Sequence, residues 1–451
     1  MSIAEIKHKF LKFEYLIPVM MLATLILKCV FTAWGGNYLY ADGANYCYSI
    51  LRDGGPVNAI EGRQGSFWLM ELPMLIAMKL GVTNIKVLCA LFGIGSVMWF
   101  ALFSFIAEVL CLQKHKEQFS AGVAILYVAV NIFTGFFTQI ESITAVGIYV
   151  YLLVYFMLSE KKDWGYRIIA LLLLPLLHHA NEYFVGYSAV LVLILVTRIK
   201  KERHKIYIVE FLVDLAVSAY SIYSSYIAAT QGAPTDSLMR SIRSLPEKVS
   251  YWLFIGLVCI TVVLAIVDRY AYNGKKEEWV QSFSLLTGIL LVLTAIYHSD
   301  QTATQSFSMR FMNLVLPCIV GFVFWVFYTF EVDVRSGLSV LAIALFVVNA
   351  VYTTKTAAAY RGYLQDLSAV CAERTGFFEL RSTDVDKTFT WGWPLPMEGI
   401  LAQCINGRTD IQSIVIQDFN VTYWEAFDSN NIDAYADFSR YGIKIEKQYF
   451  Q

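Results

Sequence analysis

Long apolar runs separated by short basic loops make up most of this chain, and that alternation limits how it can fold. Runs such as 251–267, 284–297 and 314–330 are long enough, or nearly so, to cross a hydrocarbon layer roughly 30 Å thick at ~1.5 Å per residue. Inside such a layer the backbone must satisfy its own hydrogen bonds, which makes helices the spanning element. Hydrophobic residues are 57% of the 451 and charged ones 16%, against about a quarter charged in an ordinary soluble domain. The net charge of −1 provides no basic footprint for a nucleic-acid partner.

Positive charge orients the runs. Lys7, Lys9 and Lys12 place the N-terminus in the cytoplasm, and the first apolar stretch, 15–34, reads as a retained signal anchor. The other basic loops hold Lys114 and Lys116, then Lys161, Lys162 and Arg167. Further on come Arg198 to Lys205 and Arg269 to Lys276. All are cytoplasmic together if 66–80, which contains Glu71 and Pro73, lies on the outer surface as a helix. The fold class expected is an all-α polytopic membrane protein with about eleven transmembrane helices and a small C-terminal α/β domain. The spans fall near 14–34, 87–111, 119–138, 143–159, 166–180, 183–197, 206–228, 250–268, 281–297, 311–330 and 337–354. This divides the chain into a transmembrane domain, 1–354, with a long first outer loop at 35–86, and an extracytoplasmic domain, 355–451.

The tail differs in kind. A helix is expected from about Lys355 to Ala372, followed by an α/β unit that includes the apolar, strand-like run 411–416. About a hundred residues are just enough for a core. Of the eight cysteines, Cys29, Cys89, Cys111, Cys259 and Cys318 fall in or beside spans, where they pack. Cys371 and Cys404 either stay free or pair as a disulfide. No pair of cysteines has metal-ligand spacing, and the sequon Asn420-Val421-Thr422 has meaning only in a glycosylating host.

Polar residues gather on the expected outer face. The first loop supplies Asp42, in Tyr40-Ala41-Asp42-Gly43-Ala44-Asn45-Tyr46, together with Arg52, Asp53, Glu61 and Arg63. Later outer turns supply Gln139 and Glu141, then His178, His179, Asn181 and Glu182, then His298, Asp300 and Arg310. The imbalance points to a cavity that opens outward. Each candidate also has a plain structural reading. Asp42 is either a catalytic carboxylate or the N-cap of a helix beginning near Ala44. Glu141 is either functional or a helix-start residue. His178, His179 and Lys28 either act or snorkel toward the interface. Glu182 sits where an ionisable group must be paired or wet. Arg310 binds either a substrate phosphate or lipid head groups. Glu210 and Asp214 share a helix face toward the cytoplasmic half. Trp391 and Trp393 are either tail core or sugar-stacking faces.

The arrangement resembles the GT-C class of integral-membrane glycosyltransferases. Its first span ends at an acidic residue, a long outer loop with surface helices follows, and many spans lead to an outer C-terminal domain. The resemblance covers the whole chain as architecture. Where the family often carries paired carboxylates in the first loop, this chain has a lone Asp42 followed by Gly43, so a second carboxylate must come from Glu141 or Glu182. Metal use, Mg or Mn, is left open by that departure. Size, outer tail and aromatic content are most similar to bacterial enzymes of the Gtr type, which decorate O-antigen or other surface polysaccharides.

The resemblance implies an inverting hexosyltransferase of the bacterial cytoplasmic (inner) membrane, with its C-terminus periplasmic. The donor is a polyprenyl-phosphate-linked sugar, since no nucleotide sugar is available outside the cytoplasm, and the acceptor is a surface glycan of O-antigen or lipopolysaccharide type. Membrane lipids surround it, and no nucleic acid takes part. Phosphate is a weakly basic leaving group, so one base suffices, unlike glycoside hydrolysis with its two carboxylates. Asp42 is the expected base, with Glu141 and Glu182 as the other catalytic carboxylates. Arg310, His178, His179 and Arg52 are the donor-phosphate candidates, and Tyr46, Trp391 and Trp393 are the sugar-binding candidates. Other readings are an O-antigen polymerase or ligase using Arg240 and Arg243, a lipid-linked sugar flippase or transporter, and a non-catalytic accessory subunit.

Overall fold

The computed structural model describes residues 13–57, 63–133, 141–180, 184–203, 205–230, 249–272, 279–280, 282–283, 286–290, 293, 306–330, 336–417 and 438–450. The helices are α1 (Phe13–Gly35), α2 (Asp42–Asp53), α3 (Gln64–Lys79), α4 (Ile85–Gln113), α5 (Glu117–Phe133), α6 (Glu141–Leu158) and α7 (Trp164–His178). They continue with α8 (Phe184–Glu202), α9 (Lys205–Thr230), α10 (Val249–Ala271), α11 (Ser306–Phe330), α12 (Ser336–Ala372) and α13 (Leu395–Ile405). Among the described residues three helical stretches are long and apolar enough to cross a membrane: Leu16–Gly35, Ile85–Gln113 and Leu341–Ala372. They coincide with the first, second and last of the eleven expected spans. Several of the remaining runs form shorter apolar helices, such as Ser142–Leu158 and Trp164–His178.

The bundle is built around α6. From Ser142 to Leu158 it is buried on every side, which is the setting for a helix that is apolar all round. α4, α7, α8 and α11 surround it, and α1 lies between α4 and α12. Helix ends follow local chemistry. The Asn84 side chain accepts from the Val87 amide at 3.2 Å to start α4. Gly36, with φ 74°, ends α1 in the left-handed region that glycine enters without strain.

The helix expected at 66–80 is present as α3, and it folds back on α4 as a hairpin. The Trp99 indole donates to the Leu69 carbonyl at 2.6 Å, and Gly95 lies directly under the Met70 carbonyl. Its polarity is inverted for a surface helix in water. Glu71 is buried and accepts from the Val57 amide at 3.1 Å, while Trp68, Leu72, Ile76 and Leu80 are exposed. An apolar outer stripe of this kind suits contact with lipid.

Loops gather in two places, one beside the α3–α4 hairpin and one at the C-terminal end of α4. Beside the hairpin, the Gly65 amide donates to the His179 carbonyl at 2.9 Å and the Ser66 hydroxyl to the Ala180 carbonyl at 2.8 Å. The tail joins there too, with the Tyr441 hydroxyl donating to the Leu51 carbonyl at 3.0 Å. At the C-terminal end of α4, Lys114 bridges Asp163 at 2.8 Å and Glu160 at 3.0 Å. There the Tyr166 hydroxyl also reaches Gln113 at 2.9 Å, and Lys201 the Tyr328 carbonyl at 3.1 Å. The basic loops described here therefore meet one another, away from the first loop and the tail.

Two expectations need correction, and the open choice at Cys371 and Cys404 is resolved. Lys28 does not snorkel: it is 3% exposed and its ammonium donates inward to the Asn131 carbonyl at 3.4 Å. The last span and the helix expected from Lys355 are one continuous helix, α12, ending at Ala372. Cys371 and Cys404 are both buried free thiols. The tail does contain the expected α/β unit. Strand β1 (Gly376–Glu379) pairs in parallel with β3 (Ser413–Ile416), in register Gly376 to Ser413, and α13 lies between them in sequence. Strands β2 (Asp410–Ile411) and β4 (Lys444–Ile445) form a second parallel pair. Burial on both faces explains the unbroken apolar run of β3.

The hairpin contact is directly testable. Gly95→Val drives a side chain into the Met70 carbonyl and is expected to cost about 2 kcal/mol or more, read as a lower thermal unfolding midpoint in detergent. Gly165→Ala faces open space and is expected to leave that midpoint unchanged or slightly raised.

Candidate functional site

Chain geometry sets up Asp42 before any tertiary contact is considered. After α1 ends at Gly35, a single 3-10 turn over Asn37–Leu39 leads to Ala41 at φ 50° and ψ −121°. A side-chain-bearing residue in that region costs on the order of 1–3 kcal/mol and persists only where its surroundings enforce it. Ala41 occupies the N-cap position, so Asp42 is not the cap. It is the first residue of α2 and half-exposed, where the positive end of the helix dipole favours a carboxylate.

The tail closes over this segment. The Trp391 indole N–H donates to the Tyr40 hydroxyl, and the two rings meet edge to face at 6.4 Å. Tyr40 also packs edge-on against Tyr360 of α12 at 6.0 Å. Phe389 lies 5.7 Å from both Tyr360 and Tyr363. Behind the aromatic wall sits Glu398 of α13, 1% exposed. The Tyr360 hydroxyl donates to one of its oxygens and the Tyr363 hydroxyl to the other at 3.3 Å. Burial pushes the Glu398 carboxyl up to about 8, against the downward pull of the two tyrosine hydroxyls. The turn that carries Trp391 and Trp393 is half-exposed. Trp391, Tyr40, Tyr360 and Glu398 thus form one continuous chain of contacts, and half-exposed Asp42 follows Tyr40 by two residues.

The other sequence candidates lie elsewhere. Tyr46 is buried with its ring 4.9 Å from Phe67, facing α3. Arg52 is at the far end of α2, about 15 Å along the helix from Asp42, where Nε and Nη2 grip Asp53 at 2.7 and 2.9 Å. His178 is buried, with Nε2 3.3 Å from Asp214 and 3.4 Å from the Ser218 hydroxyl, which in turn donates to Ser188 at 3.1 Å. Asp214 thus partners the histidine end of α7, while Glu210, one turn earlier, pairs with Arg167 at 3.2 Å. His179 caps α7 and packs on Tyr220 at 5.8 Å. Glu141 opens α6 and Arg310 lies in the first turns of α11, but their side chains fall outside the described residues. Glu61, Gln139, Asn181, Glu182, Arg240, Arg243, His298, Asp300 and the sequon at 420–422 also fall outside.

The structure therefore brings Asp42 and Trp391 into one locality and adds Tyr40, Tyr360, Tyr363 and Glu398, which sequence reasoning missed. The signal was present. Glu398 is the lone carboxylate in an otherwise uncharged helix, and Tyr360 and Tyr363 have the spacing of one helix face. Among the described residues no group of three or more histidine, cysteine, aspartate or glutamate side chains is arranged to hold a metal ion. Of the carboxylates named from sequence, Asp42 is described, whereas the side chains of Glu141 and Glu182 lie outside the described residues. No family model matches the chain, and no curated protein or solved structure does so either.

Glu398 and Glu71, both raised by burial to about 8, give the fold a pH signature. In the unfolded chain such groups titrate near ~4.3. Between the two values the folded protein holds more protons than the unfolded one. Their contribution is therefore complete below about pH 4 and is lost as pH rises through about 8. Thermal unfolding from pH 5 to pH 8 should show falling stability, and Glu398→Gln should flatten the slope. An unchanged slope in that variant would contradict the assignment.

Proposed function

We propose that this chain is an inverting glycosyltransferase that moves a sugar from a polyprenyl-phosphate donor to a surface glycan. In this reading it is a multi-pass protein of a bacterial cytoplasmic membrane with about eleven spans. Its N-terminus is cytoplasmic, and its first loop and tail are on the outer face. The observation that carries the reading is the contact between Trp391 and Tyr40, which anchors a half-exposed tryptophan turn on a residue two positions before a half-exposed carboxylate. Tryptophan faces stack on sugar rings, and a carboxylate takes a proton, so the two form a minimal site for glycosyl transfer.

The chemistry balances with one base. Asp42 accepts the proton of the acceptor hydroxyl as that oxygen bonds to C1 of the donor sugar. The bond between C1 and the phosphate oxygen breaks, its electron pair leaves with the phosphate, and the anomeric centre inverts. Trp391 and Trp393 hold the sugar, and the strained Ala41 turn fixes the direction of the carboxylate. Arg310 is assigned the charge on the departing phosphate.

Protein reconstituted in lipid with a polyprenyl-phosphate hexose and a crude surface-polysaccharide acceptor is expected to transfer sugar. Asp42→Asn should lower the rate by about 10²–10⁴-fold with the unfolding midpoint unchanged. Transfer retained in the variant would remove Asp42 from the role, and no transfer from a panel of hexose donors would sink the reading.

A further inference from the structure

A cleft of about 140 Å³ opens beside the end of α1, lined among others by Trp34, Tyr38, Lys86, Arg361, Gln365 and Asn406. It contains two cations and no acidic side chain. Arg361 is held in place. Its guanidinium lies 4.5 Å over the Trp34 ring, and Nη1 donates to the Trp34 carbonyl at 3.3 Å. That leaves the rest of its planar fork for a ligand. Lys86 is exposed at the start of α4. Among the described residues neither cation has a carboxylate partner.

The position of the cleft matters as much as its charge. Trp34 closes the first candidate span, at the level where tryptophans anchor helices at a membrane surface. Below it Val19, Leu22, Ile26 and Val30 are all exposed, at spacings that align them as one stripe along α1. Val347 and Val351 of the neighbouring α12 are exposed as well. A dicationic cleft therefore sits at the top of a continuous apolar track.

We propose that this cleft binds the phosphate of a single-chain lipid phosphomonoester, whose chain lies along the α1 stripe. A phosphomonoester carries about −1.5 to −2 at pH 7 and matches two cations, whereas a phosphodiester head group carries a single charge. Arginine also meets phosphate oxygens through paired N–H bonds. A polyprenyl monophosphate has this chemistry. It is also what remains when a sugar leaves a polyprenyl-phosphate donor, so naming it rests on the transferase reading above, whereas the site itself requires only that α1 face lipid.

The test is equilibrium binding of a fluorescent polyprenyl monophosphate to the purified full-length chain in a non-ionic detergent. Lys86→Gln and Arg361→Gln should each weaken binding about five-fold and the pair about 25-fold, at roughly 1 kcal/mol per cation near an anionic lipid surface. Arg361→Lys should retain more affinity than Arg361→Gln. Lys86 is exposed, so Lys86→Gln still tests the site if Arg361→Gln unfolds. Failure of two-chained phosphatidic acid to displace the probe would support recognition of a single-chain phosphomonoester, and displacement as effective as by the monophosphate would overturn it. Unchanged affinity in the double variant would overturn the proposal. So would displacement by phosphatidylglycerol or inorganic phosphate as effective as by the monoester. Sugar transfer is not read out, so failure of this test and failure of the transferase reading are distinguishable.

Discussion

A carboxylate buried between two tyrosines ties the tail to the helix bundle. Glu398 comes from the tail helix α13, and Tyr360 and Tyr363 come from the upper half of α12. The 37 residues of α12, about 55 Å long, run from the bundle into the tail without a hinge. Tail and bundle therefore share one rigid element, and the Glu398 contact fixes the rotation of the tail about it. Burying a carboxyl without hydrogen-bond partners would cost several kcal/mol. The two hydroxyls supply those partners, and the proton the group retains at neutral pH removes the charge. Everything placed near Asp42 by the tail, above all Trp391 on Tyr40, depends on that docking.

The second constraint is local. Ala41 is held at positive φ between a short 3-10 turn and the first turn of α2. Tyr40 is clamped on one side by Trp391 and on the other by Tyr360. A strained backbone persists where its neighbours over-determine it, and here those neighbours come from the tail and from α12. Strain, aromatic clamp and half-exposed carboxylate lie within three consecutive residues, 40–42. That is why the proposed chemistry is centred there and not at the other polar groups of the same end of the bundle.

The mostly helical character and three of the expected spans were legible in the sequence, because long apolar runs are strong signals. The first, second and last expected spans and the helix at 66–80 appear, while the run at 411–416 is divided at Gln412 between β2 and β3, which belong to separate sheets. The site was legible only in part. Asp42 and Trp391 stood out as a carboxylate and a tryptophan in polar, aromatic segments, but nothing local says that Trp391 meets Tyr40, 351 positions away. Glu398 was passed over because a single carboxylate in an apolar helix gives no periodic signal, and its partners belong to another helix. His178 and Asp214 misled for the opposite reason. Their positions suggested opposite halves of the bundle, yet α7 and α9 pack so that the end of one meets the third turn of the other. Lys28 was read as snorkelling because that is the usual behaviour of a lysine near the end of a span, and the packing of α5 against α1 overrides it.

The central claim is that the junction of the 40–42 segment with the tail turn at 389–393 holds the sugar being transferred. The most direct test is photo-crosslinking. A polyprenyl-phosphate hexose carrying a diazirine on the sugar would be irradiated with the intact protein in lipid, and the labelled peptides mapped. The account predicts labelling within residues 38–46 and 389–393, suppressed by excess unmodified donor. Donor-protected labelling confined to other segments, such as 229–249, would contradict it.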